Sequence, residues 1–201
     1  MKGSSPYTGN GSLTREQFLF HETRVTAKLM SEGLSDAEVV ETIFKENLFQ
    51  FPTEKSLKSL ARTCIKRLRS MNDESLVQAV ATSSSGPAKQ ICLYAMMKQY
   101  QLVWDFMATV VGEKYRTLDD SFGKKDLNAF FTRLTEQDDQ VASWSEATVK
   151  KIRGVLVRIL VETGYLDTNR SKTLNRVLLD SFLEERIRAN GDVRALAAFN
   201  C

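Results

Sequence analysis

Histidine is almost absent from this sequence. His21 is the only one in 201 residues, which leaves little room for triad, dyad or histidine–metal chemistry. Cysteine is scarce too. Cys64, Cys92 and Cys201 are widely spaced, odd in number and never in a C-x-x-C pair, so neither a zinc site nor a disulfide framework follows. With only three prolines and ten glycines, little interrupts long helices. Charge of one sign is lacking as well. A net charge of +3 excludes a dominantly basic protein, so any nucleic-acid surface has to come from local clustering.

Long apolar runs are missing. The strongest, Gly154 to Val161, is interrupted by Arg158 and is far too short to cross a bilayer. The opening MKGSSPYTGNGS has no apolar stretch of the kind a signal peptide needs. These features predict a cytoplasmic protein with no membrane association, and Cys64 and Cys92 lie in helical apolar patterns that suit core positions in a reducing compartment. No phosphate-binding glycine loop, dinucleotide fingerprint, nucleophile elbow or H-E-x-x-H is present. Two acidic pairs, Asp119-Asp120 and Asp138-Asp139, have no third ligand at a fixed spacing and make no metal site. The sequence therefore predicts a non-enzymatic protein with no catalytic residue, metal or cofactor.

The pattern that is present is helical. The spacing predicts an all-α fold: a flexible tail over residues 1–12, a helix-turn-helix unit over 13–85, and a second helical unit over 86–201. Thr14 and Gln17 have the spacing of a capping box for a helix running to Ser31. A second capping box, Ser35 with Glu38, opens the next helix. Thr53, after Pro52, is the expected cap of another, Asp73 and Ser145 are further N-caps, and Gly164 is the expected end of the helix that Ser145 opens. Ser83 to Pro87 is the expected hinge. A long apolar helix from about Ala88 to Tyr115 is the expected central strut, and Gly112 and the segment Thr117 to Gly123 mark the next break. Lys124 to Thr163 repeats the order of helix, polar connection and basic-faced helix, a candidate second helix-turn-helix, and Tyr165 to Leu179 contains extended-looking pieces around a basic tip, a candidate winged element.

Ser35 to Met71 carries the main functional signal. It reads as a short helix, a tight connection and a longer helix with two stripes. Leu57, Leu60, Ala61, Cys64, Leu68 and Met71 share one face. Lys55, Lys58, Arg62, Lys66 and Arg69 fall roughly opposite, and Glu54 is this helix's only acid. A face that is merely solvated usually mixes signs, and like charges four residues apart destabilise a helix by about 0.2–0.5 kcal/mol each. Their repetition points to an anionic partner. A second basic helix, with Lys150, Lys151 and Arg158, and the tip carrying Arg170, Lys172 and Arg176 are further candidates. With Ser56, Ser59 and Thr63 beside the first stripe but no Asn or Gln for adenine, backbone contact with double-stranded DNA is favoured over base reading.

Several stretches resemble a known family. Tyr7, then FLFHETRVTAKLMSEGLSDAEVVETIFKENLFQ, then IKRLRSM at the end of the basic helix, are similar to BrxA, the small accessory protein of BREX phage-defence systems. Tyr94, Tyr100, Trp104, Phe106 and SEATVKKIRGVLVRILVETGYL extend the resemblance over nearly the whole chain. It implies an all-helical fold with helix-turn-helix elements and a positive surface for double-stranded DNA. It also implies residence among other BREX proteins. The DNA-binding role transfers most directly onto Lys55, Lys58, Arg62, Lys66 and Arg69. Two other readings stay open: an adaptor docking acidic surfaces of larger defence proteins, and an RNA-binding module, since the family has been compared in fold with NusB.

Overall fold

Ser35, Asp73 and Ser145 each cap the helix that their spacing predicts. Ser35 accepts from the Glu38 N–H, and the Glu38 carboxylate reaches back to the Ser35 N–H at 2.8 Å. Asp73 accepts from the N–H groups of Ser75 and Leu76, and Ser145 from that of Thr148. A computed structural model describes residues 4–199. Its α-helices are α1 (Phe20–Ser31), α2 (Asp36–Lys45), α3 (Glu54–Ser70), α4 (Glu74–Thr82), α5 (Ser85–Gln99), α6 (Gln101–Phe106), α7 (Gly112–Arg116), α8 (Lys124–Gln137), α9 (Asp139–Ala142), α10 (Glu146–Glu162) and α11 (Ser181–Ala189). A π-helical turn, Met107–Val111, joins α6 to α7, and 3-10 helices lie at Asn10–Thr14 and Val193–Phe199. The fold is all-α. Among the described residues no helix is long and apolar enough to cross a membrane.

The chain divides into two compact units. Phe18–Gln99 forms one, and the segments on either side of it together form the other. These divisions fall elsewhere than the expected 85/86 boundary, which lies inside the first helical turns of α5.

In the 18–99 unit, α1 packs on α3 and α4, α2 on α3, and α5 on α3 and α4. Helix α5 is apolar all round, with Ile91, Leu93, Tyr94 and Met96 fully buried, so it is this unit's centre. Ser85 to Pro87 belongs to its first turn, which leaves the expected hinge only Ser83 and Ser84. The connection from α2 to α3 is not the tight one expected. It runs over residues 46–53, longer than the three- or four-residue turn of a DNA-binding helix-turn-helix. Asn47 and Gln50 take positive φ there, and Phe49 tucks into the core.

Residues 4–17 and 100–199 build the other unit. The expected flexible tail is instead packed over residues 4–12; residues 1–3 of it lie outside the described residues. Tyr7 is buried and its hydroxyl donates to Asp105 at 2.7 Å; burial first, and then that carboxylate, push the phenol's pKa well up. The Ser5 hydroxyl donates to Asp138 at 2.9 Å, and Leu13 is fully buried. Thr14 and Gln17 do not cap a helix. The Thr14 hydroxyl donates to the Gly11 carbonyl at 3.0 Å, Gln17 accepts from Arg158 at 2.5 Å, and α1 begins only at Phe20, after Leu19 at φ 53°.

The long strut also divides. Tyr100 is extended, at φ −126° and ψ 108°, and its hydroxyl donates to Glu16. The helix then restarts, with the Asn10 side chain accepting from the Leu102 N–H at 2.9 Å. Gly112 is no break either. It continues the helix, and a Cβ there would meet the Ala197 Cβ at 3.0 Å, so glycine admits the 193–199 segment. Gly164 does end α10, at φ +83°. No strand forms among the described residues. The expected wing is reduced to one antiparallel bridge, Ser121 with Thr173, because the segment after Arg170 runs along residues 120–122 and not beside a second strand.

A charged group is buried in this unit. Lys114 is 8 % exposed and its ammonium bonds Asp119 at 2.9 Å and Asp126 at 3.0 Å. Burial pulls its pKa down, but the carboxylates outweigh that and leave it raised. The Ser121 hydroxyl, then Lys114, lower Asp119 from its ordinary 3.8 to about 2. A depressed carboxyl stabilises the fold above its unfolded pKa and loses that effect as pH falls through the folded one. Acid denaturation of wild type and Asp119→Asn should therefore show wild type ahead above pH 4 and the two converging near pH 2.

Candidate nucleic-acid interface

Helix α3 shows why its basic stripe is free. The opposite face, Leu57, Ala61, Cys64, Leu68 and then Met71, is buried against neighbouring helices, with Leu60 half-buried at its edge. That burial fixes the rotation of the helix and turns Lys55, Arg62 and Lys66 to solvent. None of these three has a carboxylate partner among the described residues. Glu54 sits in the first turn, next to Lys55, where the helix dipole favours it.

The remaining two predicted cations of this helix are engaged. The Lys58 ammonium lies 3.8 Å from the centre of the Phe44 ring of α2, so it is half-buried as a cation–π contact. Arg69 bonds Asp36 at 3.0 Å and Glu74 at 2.7 Å, tying the starts of α2 and α4 to the end of α3. The Asp36 hydrogen bond leads in raising its pKa.

The hydroxyls near the stripe are mostly occupied. The Thr63 side chain is buried and donates to the Ser59 carbonyl at 3.1 Å, and Ser56 accepts from Thr53 at 2.7 Å, so the Thr53 hydroxyl does not cap α3 as expected. Ser59 alone is exposed. Base reading from this face is correspondingly poor in donors and acceptors.

One arginine of α3 was assigned no role by the sequence pattern. Arg67 is 1 % exposed, and its guanidinium donates to the Phe18 carbonyl at 3.1 Å. Its position on the helix, flanking Leu60, is the signal that separates it from the stripe.

The other predicted residues belong to the second unit. On α10, Lys150 and Lys151 are exposed without carboxylate partners among the described residues, whereas Arg158 is held by Gln17. Arg170 and Lys172 are likewise exposed and unmatched, and Arg176 faces Asp120 at 3.6 Å. The acidic pairs have structural work. Asp138 caps α9 and accepts from Ser5, while Asp119 serves Lys114 and Ser121. No group of three or more His, Cys, Asp or Glu is placed to hold a metal among the described residues.

The cysteines are sealed in the 18–99 core. Burial pushes Cys64 up to about 11 and Cys92 up to about 12. A thiol-specific reagent at pH 8 should leave both unmodified in the native protein and label both after denaturation, as read by peptide mapping. Cys201 lies outside the described residues.

A family model described as BrxA matches residues 6–191. The chain belongs to the BrxA family. Relatives named BREX protein BrxA include one from Bacillus cereus (strain H3081.97), 34 % identical over 87 % of this chain and 87 % of its own. Another, from Escherichia coli O9:H4 (strain HS), is 28 % identical over 84 % and 79 %. A third, from Paramagnetospirillum magneticum (strain ATCC 700264 / AMB-1), is 27 % identical over 92 % and 89 %. The chain is also similar in structure to an uncharacterized protein from Magnetospirillum magneticum, whose crystal structure it matches with a TM-score of 0.79. There the identity is 25 %, and 94 % of this chain and 96 % of that one are covered.

Proposed function

We propose that the protein is a non-enzymatic, double-stranded-DNA-binding accessory of a BREX phage-defence system, working in the cytoplasm beside other BREX proteins. The single observation that carries this reading is the face of α3. Lys55, Arg62 and Lys66 stand exposed on a rigid helix with no carboxylate partner among the described residues. Three uncompensated cations on one face can each neutralise a backbone phosphate, and each phosphate neutralised releases counterions. The shortage of free polar side chains beside them favours backbone contact with little sequence preference.

The test is a salt titration of binding to a random-sequence duplex, with the matching RNA as competitor. A log–log slope of several units, at about 0.9 per phosphate contacted, is the expected result. Preference for the RNA would move the reading to an RNA-binding module. No binding at about 50 mM salt, where phosphate contacts are strong, would overturn it in favour of an adaptor for acidic protein surfaces.

A further inference from the structure

Two segments that are far apart in sequence bring four cations together in the second unit. The Phe122 N–H donates to the Lys172 carbonyl at 2.8 Å, and the Leu174 N–H to the Asp120 carbonyl at 2.7 Å. With the Ser121–Thr173 bridge between them, these bonds lay the tip carrying Arg170 and Lys172 beside the entry to α8. Lys124 and Lys125 open that helix immediately after. All four side chains are exposed, and none has a carboxylate partner among the described residues.

The surrounding acids explain why these cations stay uncompensated. Asp119 and Asp126 are both drawn to the buried Lys114. Asp119 also accepts from the Ser121 N–H and hydroxyl, and Asp126 from the Gly123 N–H. Asp120 faces Arg176, and Asp167 accepts from the Asn175 amide at 2.9 Å. One buried lysine thus absorbs two of the four nearby carboxylates. The placement of Lys124 and Lys125 is a second signal. Both occupy the first turn of α8, where the helix dipole disfavours positive charge. The one acid of that turn, Asp126, is taken up by the Gly123 N–H and by Lys114, so it leaves the two lysines uncompensated.

We propose that Lys124, Lys125, Arg170 and Lys172 form a second grip on the phosphate backbone of duplex DNA, separate from the α3 stripe. Its chemistry suits a polymer better than a free phosphate: the cations are spread along two segments of open surface, with no buried polar group converging on one point. The proposal rests on the DNA-binding reading and adds that each unit carries its own contact surface. Lys124 and Lys125, the residues it newly assigns, act as point charges on phosphates.

The experiment uses the full chain and a random-sequence duplex in a salt titration. It compares wild type, K124E/K125E/R170E/K172E and K55E/R62E/K66E. The tip variant is expected to lower the log–log slope by about 2–4 and the affinity at least tenfold. Its melting temperature should be unchanged or higher, because glutamate suits the first turn of α8. If the tip variant keeps the wild-type slope and affinity while the α3 variant loses both, the second grip is overturned and the α3 reading stands. That is also the result expected if the cluster serves an acidic protein surface. If wild type itself does not bind, both fall. Should the reversal variant melt poorly, K124Q/K125Q/R170Q/K172Q removes the charges without repulsion, and a wild-type slope in that folded variant overturns the proposal equally.

Discussion

Reversing Lys55, Arg62 and Lys66 together to glutamate is expected to weaken duplex binding by about 10²–10³-fold near 0.1 M salt. The log–log slope should fall by about 0.9 for each phosphate no longer neutralised. The three residues are exposed and have no carboxylate partner among the described residues. No ion pair is broken, so circular dichroism and melting should stay close to wild type. Lys58 is a poorer target, because its ammonium also packs on Phe44 and reversal would disturb the α2–α3 packing. Arg69 is poorer still, since it bonds Asp36 and Glu74. A folded triple variant that binds as wild type does would remove α3 from the interface. Lys55→Gln, Arg62→Gln and Lys66→Gln singly should each weaken binding similarly for all duplex sequences, as expected of side chains that meet phosphates and not bases.

Arg67→Ala is expected to cost about 3–5 kcal/mol of stability, measured by denaturant unfolding. The side chain is among the largest that are fully buried, and its guanidinium donates to the Phe18 carbonyl. Truncation removes a charged hydrogen bond, leaves a buried carbonyl with one donor fewer, and opens a cavity between α3 and the start of α1. Arg67→Lys should recover only part of the loss, because an ammonium on a flexible stem does not reproduce the planar fork of donors. DNA binding by whatever fraction remains folded should be unaffected, which distinguishes Arg67 from Lys66 beside it in sequence.

The elements legible in the sequence are those written in local chemistry. Ser35 with Glu38, Asp73, and Ser145 with Gly164 delimit helices through contacts only a few residues long, and the α3 stripes follow from helical periodicity alone. What was not legible depends on distant partners. Nothing near Tyr100 marks a break in an apolar helical pattern: the cap that restarts the helix at Leu102 comes from Asn10, and the Tyr100 hydroxyl is claimed by Glu16. Residues 4–12 look like a loose tail because glycine and serine dominate them. Tyr7 and Leu13 hold that stretch against surfaces the local pattern cannot supply. Lys114 looks like an ordinary surface cation until its burial and partners are known, and Arg67, at the edge of the apolar stripe, shows its partner, the Phe18 carbonyl, only in the structure. The α3 charges were legible as a pattern, but only the structure separates the three without partners from Lys58 and Arg69. Lys124 and Lys125 gained significance only through the pairing of Phe122 with Lys172.

The splitting of one unit around the other sets an order of events during synthesis. Residues 18–99 emerge as one uninterrupted stretch and make up one compact unit by themselves. The preceding segment has no such independence. Asn10 waits for Leu102, Tyr7 for Asp105 and Ser5 for Asp138. At bacterial elongation rates the ninety-odd residues between the first of those pairs take roughly 5–20 s to appear. For that interval Tyr7 has no Asp105 to bond, so the nascent chain passes through a stage in which some of its earliest residues wait on partners made after the whole of the other unit.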